Sequence, residues 1–192
     1  MATASNGSRR TRARNRTRPL DVSVLRIGHR PGRDPRLTTH LALAARAFGA
    51  RRMYLHPPDP ELVRRLEDVG RRWGGGFEVV PTDEWKKVVR SFDGPVVHLT
   101  MYGLPLERVA ARLRRHRRLL LVAGGAKVPA DLYRLATYNV AVGSQPHSEV
   151  AAVAVALVRL LGPPSGPAPR NARMRIRPSA RGKRVEDREE AG

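Results

Sequence analysis

Four short segments gather the residue types that hold ligands. Gly28-His29-Arg30-Pro31-Gly32-Arg33-Asp34, followed by Arg36, sets three guanidinium groups within seven residues. Such forks match phosphate oxygens, and a helix starting at Asp34 adds the positive potential of its N-terminus. The second segment is Thr100-Met101-Tyr102-Gly103, and the third is Gly124-Gly125-Ala126-Lys127-Val128-Pro129. The fourth is Gly143-Ser144-Gln145-Pro146-His147-Ser148-Glu149. Gly124, Gly125 and Gly143 let backbone approach a bound molecule closely. Leu99, Val128 and Val142 beside them supply apolar walls. Ser148 and Glu149 suit the first turn of a helix, capping N–H groups while touching a ligand. Each glycine taken alone is at home in a simple turn; the convergence of the segments is what argues for a site.

Signatures of several common chemistries are missing. No G-x-G-x-x-G follows a strand and no G-x-x-x-x-G-K-[ST] occurs, which counts against a dinucleotide fold and an NTPase phosphate loop. H-E-x-x-H is absent and the six histidines are dispersed, so no metal is expected. There is no G-x-S-x-G elbow for ester hydrolysis. With no cysteine there is neither a thiolate nucleophile nor a disulfide framework.

The elements that must position these segments read as strands alternating with helices. Strands are expected at 21–27, where apolar and polar residues alternate, and at 51–55, 77–80, 95–99, 118–123 and 138–142. The first helix takes Asp34 as N-cap and Pro35 as its first residue, and stops at Gly49. Further helices are expected at 60–72, 83–92, 104–116, 129–135 and 147–161, and Gly74-Gly75-Gly76 is a turn. This pattern predicts an α/β fold, a mainly parallel sheet with helices on both faces. The four segments then follow strands and share the carboxyl edge, where open parallel sheets bind ligands. Residues 1–18 read as a disordered basic arm, 19–162 as the folded domain, and 163–192 as a Pro/Gly linker and basic extension. Within that extension, 172–177 and 183–186 are set to form a small hairpin around Pro178–Gly182.

Charge points to the partner. The 192 residues hold 37 Lys+Arg against 17 Asp+Glu, a formal charge of +20. Six arginines and no acid lie in 1–18, 23 basic against 13 acidic residues in 19–162, and 8 against 4 beyond. A polyanion follows, with RNA ahead of an anionic membrane surface. Only four of the 37 are lysines, so arginine enrichment from a GC-rich genome or a hot habitat is the plainer alternative. Arg112, Arg114, Arg115, Arg117 and Arg118 form either a solvated helix end or a second RNA-facing cluster. Aromatic residues make up 5%, which disfavours a base-stacking platform and fits a reader of folded RNA shape. Residues 1–18 carry no apolar signal segment, and the apolar stretch Val150–Leu161 is too short for a bilayer and contains Arg159. A cytoplasmic chain with no membrane partner is expected.

At the four segments the sequence resembles one family. The residues are Leu25-Arg26-Ile27-Gly28-His29-Arg30-Pro31 with Arg33-Asp34 and Thr38-Thr39-His40, then His98-Leu99-Thr100-Met101-Tyr102-Gly103. Lys127-Val128-Pro129 follows, and then Tyr138-Asn139-Val140-Ala141-Val142-Gly143 with Gln145-Pro146-His147-Ser148-Glu149-Val150. Together they are similar to the archaeal tRNA (cytidine(56)-2′-O)-methyltransferases of the SPOUT superfamily. The likeness covers residues 20–161 and extends to the C-terminal hairpin; Gln145–Glu149 is its most specific part. Ala126 and Ser144 stand where the family often has Glu and Asn. The resemblance implies 2′-O-methylation of cytidine 56 in the tRNA T-loop, S-adenosylmethionine as donor, a homodimer, and a C-terminal trefoil knot that periodicity alone does not suggest. Alternatives are a SPOUT 2′-O-methyltransferase with another tRNA or rRNA target, and a non-catalytic basic RNA-binding protein.

By that resemblance the cofactor contacts are Leu99, Gly124, Gly125, Ala126, Lys127, Val128, Val142, Gly143, Ser144, Gln145, Pro146, His147, Ser148 and Glu149. A ribose 2′-hydroxyl is a poor nucleophile at neutral pH and needs a base or a cation as it attacks. Related enzymes use an arginine of the first motif, but the matching helix position here is Leu43. The role passes to Arg33, with Arg30 second, and phosphate binding by the same residues is the alternative. His40 reads as a satisfied, half-buried histidine near the helix start and His147 as shaping the cofactor loop, neither as a base.

Overall fold

The computed structural model describes residues 20–125, 128–164 and 166–188. Its elements run β1 (Asp21–Ile27), α1 (Pro35–Ala47), β2 (Arg52–Leu55), α2 (Pro60–Trp73), β3 (Glu78–Pro81), α3 (Trp85–Ser91) and β4 (Val96–Pro105). They continue α4 (Leu106–Leu113), β5 (Arg118–Gly124), α5 (Ala130–Leu135), β6 (Tyr138–Ala141), α6 (Glu149–Leu161), β7 (Met174–Ile176) and β8 (Val185–Asp187). The first six strands pair in parallel in the order β3-β2-β1-β5-β4-β6, and β7 and β8 form an antiparallel hairpin. Residues 1–18, expected as an arm, lie outside the described residues.

Helices cover both faces of the sheet. Val22, Val24, Met53 and Leu121 pack under α1, α2, α4 and α6, while Leu25, Ile27, Leu120 and Val122 pack under α3 and α5. Burying one such side chain contributes about 1.5–3 kcal/mol. This double cover corrects the expected alternation of β1: every residue from Val22 to Ile27 is buried, including Ser23 and Arg26. A central parallel strand has no solvent face to display.

Two further expectations change. Asp34 occupies the cap position of α1 but makes no side-chain cap bond. Arg30 takes its carboxylate instead, donating from Nε at 2.7 Å and from Nη2 at 2.8 Å. By contrast Asp59 caps α2, its Oδ1 accepting from the Leu62 amide at 2.9 Å. The fourth strand does not stop at Leu99: Leu99 and Leu104 both pair with Val140, so Thr100–Gly103 bulges out between them. A Cβ on Gly103 would lie 2.3 Å from the Val140 nitrogen, a contact only glycine escapes. Helix α4 ends at Leu113, which leaves Arg114, Arg115 and Arg117 beyond its last turn rather than within it.

The glycine run 74–76 is more than a turn. Gly74 (φ +65°) would carry a Cβ 2.6 Å from the Ala172 nitrogen, and Ala172 is 2% exposed. Beside it the Gly75 amide donates to Asn171 Oδ1 at 2.9 Å. The C-terminal segment is seated here, against the end of α2. Among the described residues no helix is long and apolar enough to cross a membrane.

Candidate functional site

Beyond the carboxyl ends of β4, β5 and β6 the loops enclose a cavity of about 300 Å³. Leu99, Val128, Val142 and Val140 form apolar walls, and Gly124 and Gly125 form the side where backbone is bare. His147, Ser148 and Glu149 close it from the start of α6. Gly143, Ser144, Gln145 and Pro146 do not line it; they are the exposed loop leading from β6 to those three residues. Ala126 and Lys127 lie outside the described residues.

Gly124 is required by packing. A Cβ there would meet Val128 Cγ1 at 2.2 Å, so the chain after β5 folds back over a position with no side chain. At the opposite wall Ser148 caps α6, its Oγ accepting from the Ala151 amide at 3.2 Å. His147 Nδ1 donates to the Gln145 carbonyl at 2.6 Å, which shapes the exposed loop.

Arg26 is the residue that sequence reasoning missed. It is 1% exposed on β1, and its Nη1 donates to the Ile27 carbonyl at 3.1 Å and reaches Glu149 Oε1 at 3.5 Å. Its Nε is buried without a partner among the described residues. Burial pulls its pKa below the ordinary arginine value, opposed by the negative charges of Glu149 and Asp34. A lone arginine in an apolar strand is the available signal, because a buried guanidinium needs an anion from elsewhere in the fold. That anion sits 123 residues away.

A second missed group forms the floor. His98 is 1% exposed and lines the cavity; its Nδ1 lies 2.8 Å from Asn139 Oδ1. Asn139 Nδ2 donates to the Tyr133 carbonyl at 3.0 Å, so Oδ1 must accept and His98 carries its proton on Nδ1. Tyr133 meets the imidazole edge-on at 4.7 Å, and its hydroxyl lies 3.1 Å from Thr100 Oγ1. Burial lowers the His98 pKa, opposed by the Asn139 bond.

The loop after β1 is held from beneath. His29, buried, donates from Nε2 to Asp59 Oδ2 at 3.0 Å, and its Nδ1 lies 2.9 Å from the Thr38 hydroxyl. Loop, α1 and the α2 cap are therefore joined through one imidazole. On the loop Arg30 is committed to Asp34, and that pairing holds the Asp34 pKa below the usual carboxylate range. Arg33 is exposed; its amide donates to the Arg30 carbonyl at 3.0 Å and its charge helps hold Asp34 ionised, while its guanidinium makes no hydrogen bond or ion pair among the described residues. His40, expected half-buried, is exposed on α1, its face turned away from the sheet. No group of three or more potential metal ligands converges among the described residues.

Comparison with known proteins agrees with this geometry. Residues 73–186 match the family model described as tRNA ribose 2′-O-methyltransferase, aTrm56. The chain is 48% identical to a tRNA (cytidine(56)-2′-O)-methyltransferase of Archaeoglobus fulgidus over 86% of its own length and 98% of that protein. It is 49% identical to the protein of that description from Thermococcus kodakarensis, over 85% and 96%. Among solved structures it resembles an AdoMet-bound rRNA methyltransferase from Sinorhizobium meliloti, with a TM-score of 0.56 and 18% identity. That likeness covers 74% of this chain and a little over half, 56%, of the other, and it concerns the fold.

Proposed function

The chain belongs to the tRNA ribose 2′-O-methyltransferase family, and on that premise we propose that it methylates the 2′-hydroxyl of cytidine 56 in tRNA, with S-adenosylmethionine as donor. The observation that carries this reading is the cavity at the carboxyl edge, where three loops and the start of α6 converge. Its size lies at the lower end of small-molecule sites. The cradle suits the cofactor: bare backbone at Gly124 and Gly125 would offer N–H and C=O groups to an adenine, and Leu99, Val128 and Val142 would give it apolar walls. Ser148 and Glu149 suit the polar remainder. When bound, the donor supplies an electrophilic methyl group on a sulfonium.

The protein's own work is to bring the ribose hydroxyl into line and to ease loss of its proton. Arg33, whose guanidinium makes no hydrogen bond or ion pair among the described residues, is our first choice for the cation that stabilises the developing oxyanion. Arg30, bound to Asp34, is second and stiffens the loop. Arg26 steadies Glu149 at the mouth of α6. Arg33→Ala should lower kcat about a hundredfold and leave cofactor affinity unchanged. Normal turnover in that variant would move the role elsewhere.

We also infer a homodimer and the trefoil knot. Support for the dimer is the apolar exposure of Val155 on α6, of Met101 and Tyr102 in the bulge of β4, and of Leu104 just after it. Sedimentation of the full chain tests it. Support for the knot is the backbone contact of Gly103 with Asn139 and Val140, which brings β6 against the bulge. Cytoplasmic residence accords with a tRNA substrate. The first experiment supplies labelled S-adenosylmethionine and an unmodified tRNA transcript, and maps the linkage that resists alkaline hydrolysis. One protected linkage at cytidine 56 is expected; a mark elsewhere would change the substrate, and no transfer would leave an RNA binder.

A further inference from the structure

The edge of the sheet opposite the cavity carries a second built feature. The strands there begin at Asp21, Arg52, Glu78 and Arg118, and the C-terminal hairpin packs beside them. Between hairpin and body lies a cleft walled by Arg46, Arg51, Trp73, Phe77, Met174 and Ile176. The seat is specific. Gly74 admits Ala172 where any side chain would collide with backbone, and the Gly75 amide holds Asn171. The hairpin is thus fixed to the fold at its base.

What it presents is positive charge. Residues 166–188 hold eight basic and two acidic residues. Both acids are taken within the hairpin: Glu186 accepts from Arg177 Nε at 2.7 Å, and Asp187 pairs with Arg173 at 3.2 Å. At the tip, Arg181, Lys183 and Arg184 are exposed, and their charged groups have no partner among the described residues. Three cations on a turn whose neighbouring acids among the described residues, Glu186 and Asp187, are already paired suit a phosphate contact better than an internal brace. Arg51 in the adjoining cleft continues the positive surface, whereas Arg46 is half-buried and donates to the Gly74 carbonyl at 2.6 Å.

We propose that the hairpin tip grips the phosphate backbone of the tRNA at a point remote from the methylated ribose. Strands β1 and β5, of seven residues each, separate the two edges by roughly 20 Å, a distance tRNA easily exceeds. A contact so placed is formed equally in the ground and transition states. It therefore sets the affinity for tRNA and leaves the rate of the bound complex alone. This inference rests on tRNA being the substrate, and its test separates the two claims.

In the full-length protein, Arg181→Gln, Lys183→Gln and Arg184→Gln are combined, and a second variant carries Arg181→Lys with Arg184→Lys. Calorimetry with S-adenosylmethionine should give the unaltered affinity in both, which shows that the fold is intact. The triple variant should raise KM for an unmodified tRNA transcript about tenfold, keep kcat within about twofold, and make the slope of log Kd against log salt shallower by about 2–3. The lysine variant, which keeps the charge, should behave like the parent. Unchanged KM and salt slope in the triple variant would overturn the proposal. So would a fall in kcat with KM unchanged. If the parent protein transfers no methyl group to tRNA, the functional reading fails. The salt slopes of binding still decide whether the hairpin grips RNA.

Discussion

The two edges of one parallel sheet have been put to different uses. At the carboxyl edge, backbone does the work: Gly103 and Gly124 tolerate no Cβ, and the buried Arg26 is paired with a partly exposed Glu149. At the amino edge, backbone at Gly74 and Gly75 only seats the hairpin, and side chains face the partner. Cations there are long, exposed and in excess, and those with partners, such as Arg52 with Glu78 and Arg118 with Asp93, sit in solvent-screened pairs. The first arrangement selects one small molecule by shape; the second attracts a polymer by charge. The difference teaches that a net charge of +20 says little about where chemistry occurs. Part of it lies on the edge that we propose collects the substrate, and part, Arg30, Arg33 and Arg36, on the edge that alters it.

If the contrast holds, damage to the two edges should differ in kind. The largest effect is expected from Gly124→Ala, whose new Cβ strikes Val128 Cγ1 and displaces the loop after β5. Cofactor affinity should fall about a hundredfold while tRNA affinity, read by filter binding, stays near that of the parent. Glu149→Ala comes next. It strands the Arg26 guanidinium, and because Glu149 keeps 20% side-chain exposure the cost should be about 2–3 kcal/mol in denaturant unfolding. Replacing Arg26 by Met in the same chain should recover much of that loss, since the orphaned charge is then gone.

The third prediction concerns pH. Burial depresses the pKa of His98, so the unfolded chain binds a proton that the folded chain refuses. This contribution is complete above the ordinary histidine value, about 6.5, and is lost as pH falls below it toward the depressed folded value. A Tm that drops from pH 7.5 to 5.5 in the parent, and drops less in His98→Gln, is the expected result. Equal slopes would remove His98 as the cause. The smallest effect belongs to the amino edge: Arg52→Ala breaks an exposed pair and should change stability by less than about 1 kcal/mol without touching cofactor binding.

Much of this was legible in the chain. The strand at 21–27 appears with the expected bounds, and the alternation of strands and helices led to a parallel sheet with its loops at one edge. What escaped were relations between distant residues. Asp34 has the right type and place for a cap, but a bidentate arginine four residues earlier outcompetes one backbone amide. Gly74-Gly75-Gly76 reads as a turn because nothing local reveals that Ala172 will press on it. The bulge of β4 is invisible for a similar reason, since only the backbone of β6 explains Gly103. For the site, the loops were readable as a group from glycine, serine and glutamate at strand ends. Arg26 and His98 were not, because each is a polar residue whose partner lies on another element.

The bond between Arg26 and Glu149 also sets an order in time. One partner belongs to the first strand and the other to the last helix of the main fold, so every strand of the large sheet precedes the arrival of Glu149. During synthesis from the N-terminus, the sheet can gather before its catalytic edge exists. Until α6 emerges, Arg26 lacks the carboxylate it pairs with in the finished fold. The enzyme's competence is therefore delayed to the final stage of its own making, and a nascent chain lacking α6 has the scaffold without the cradle.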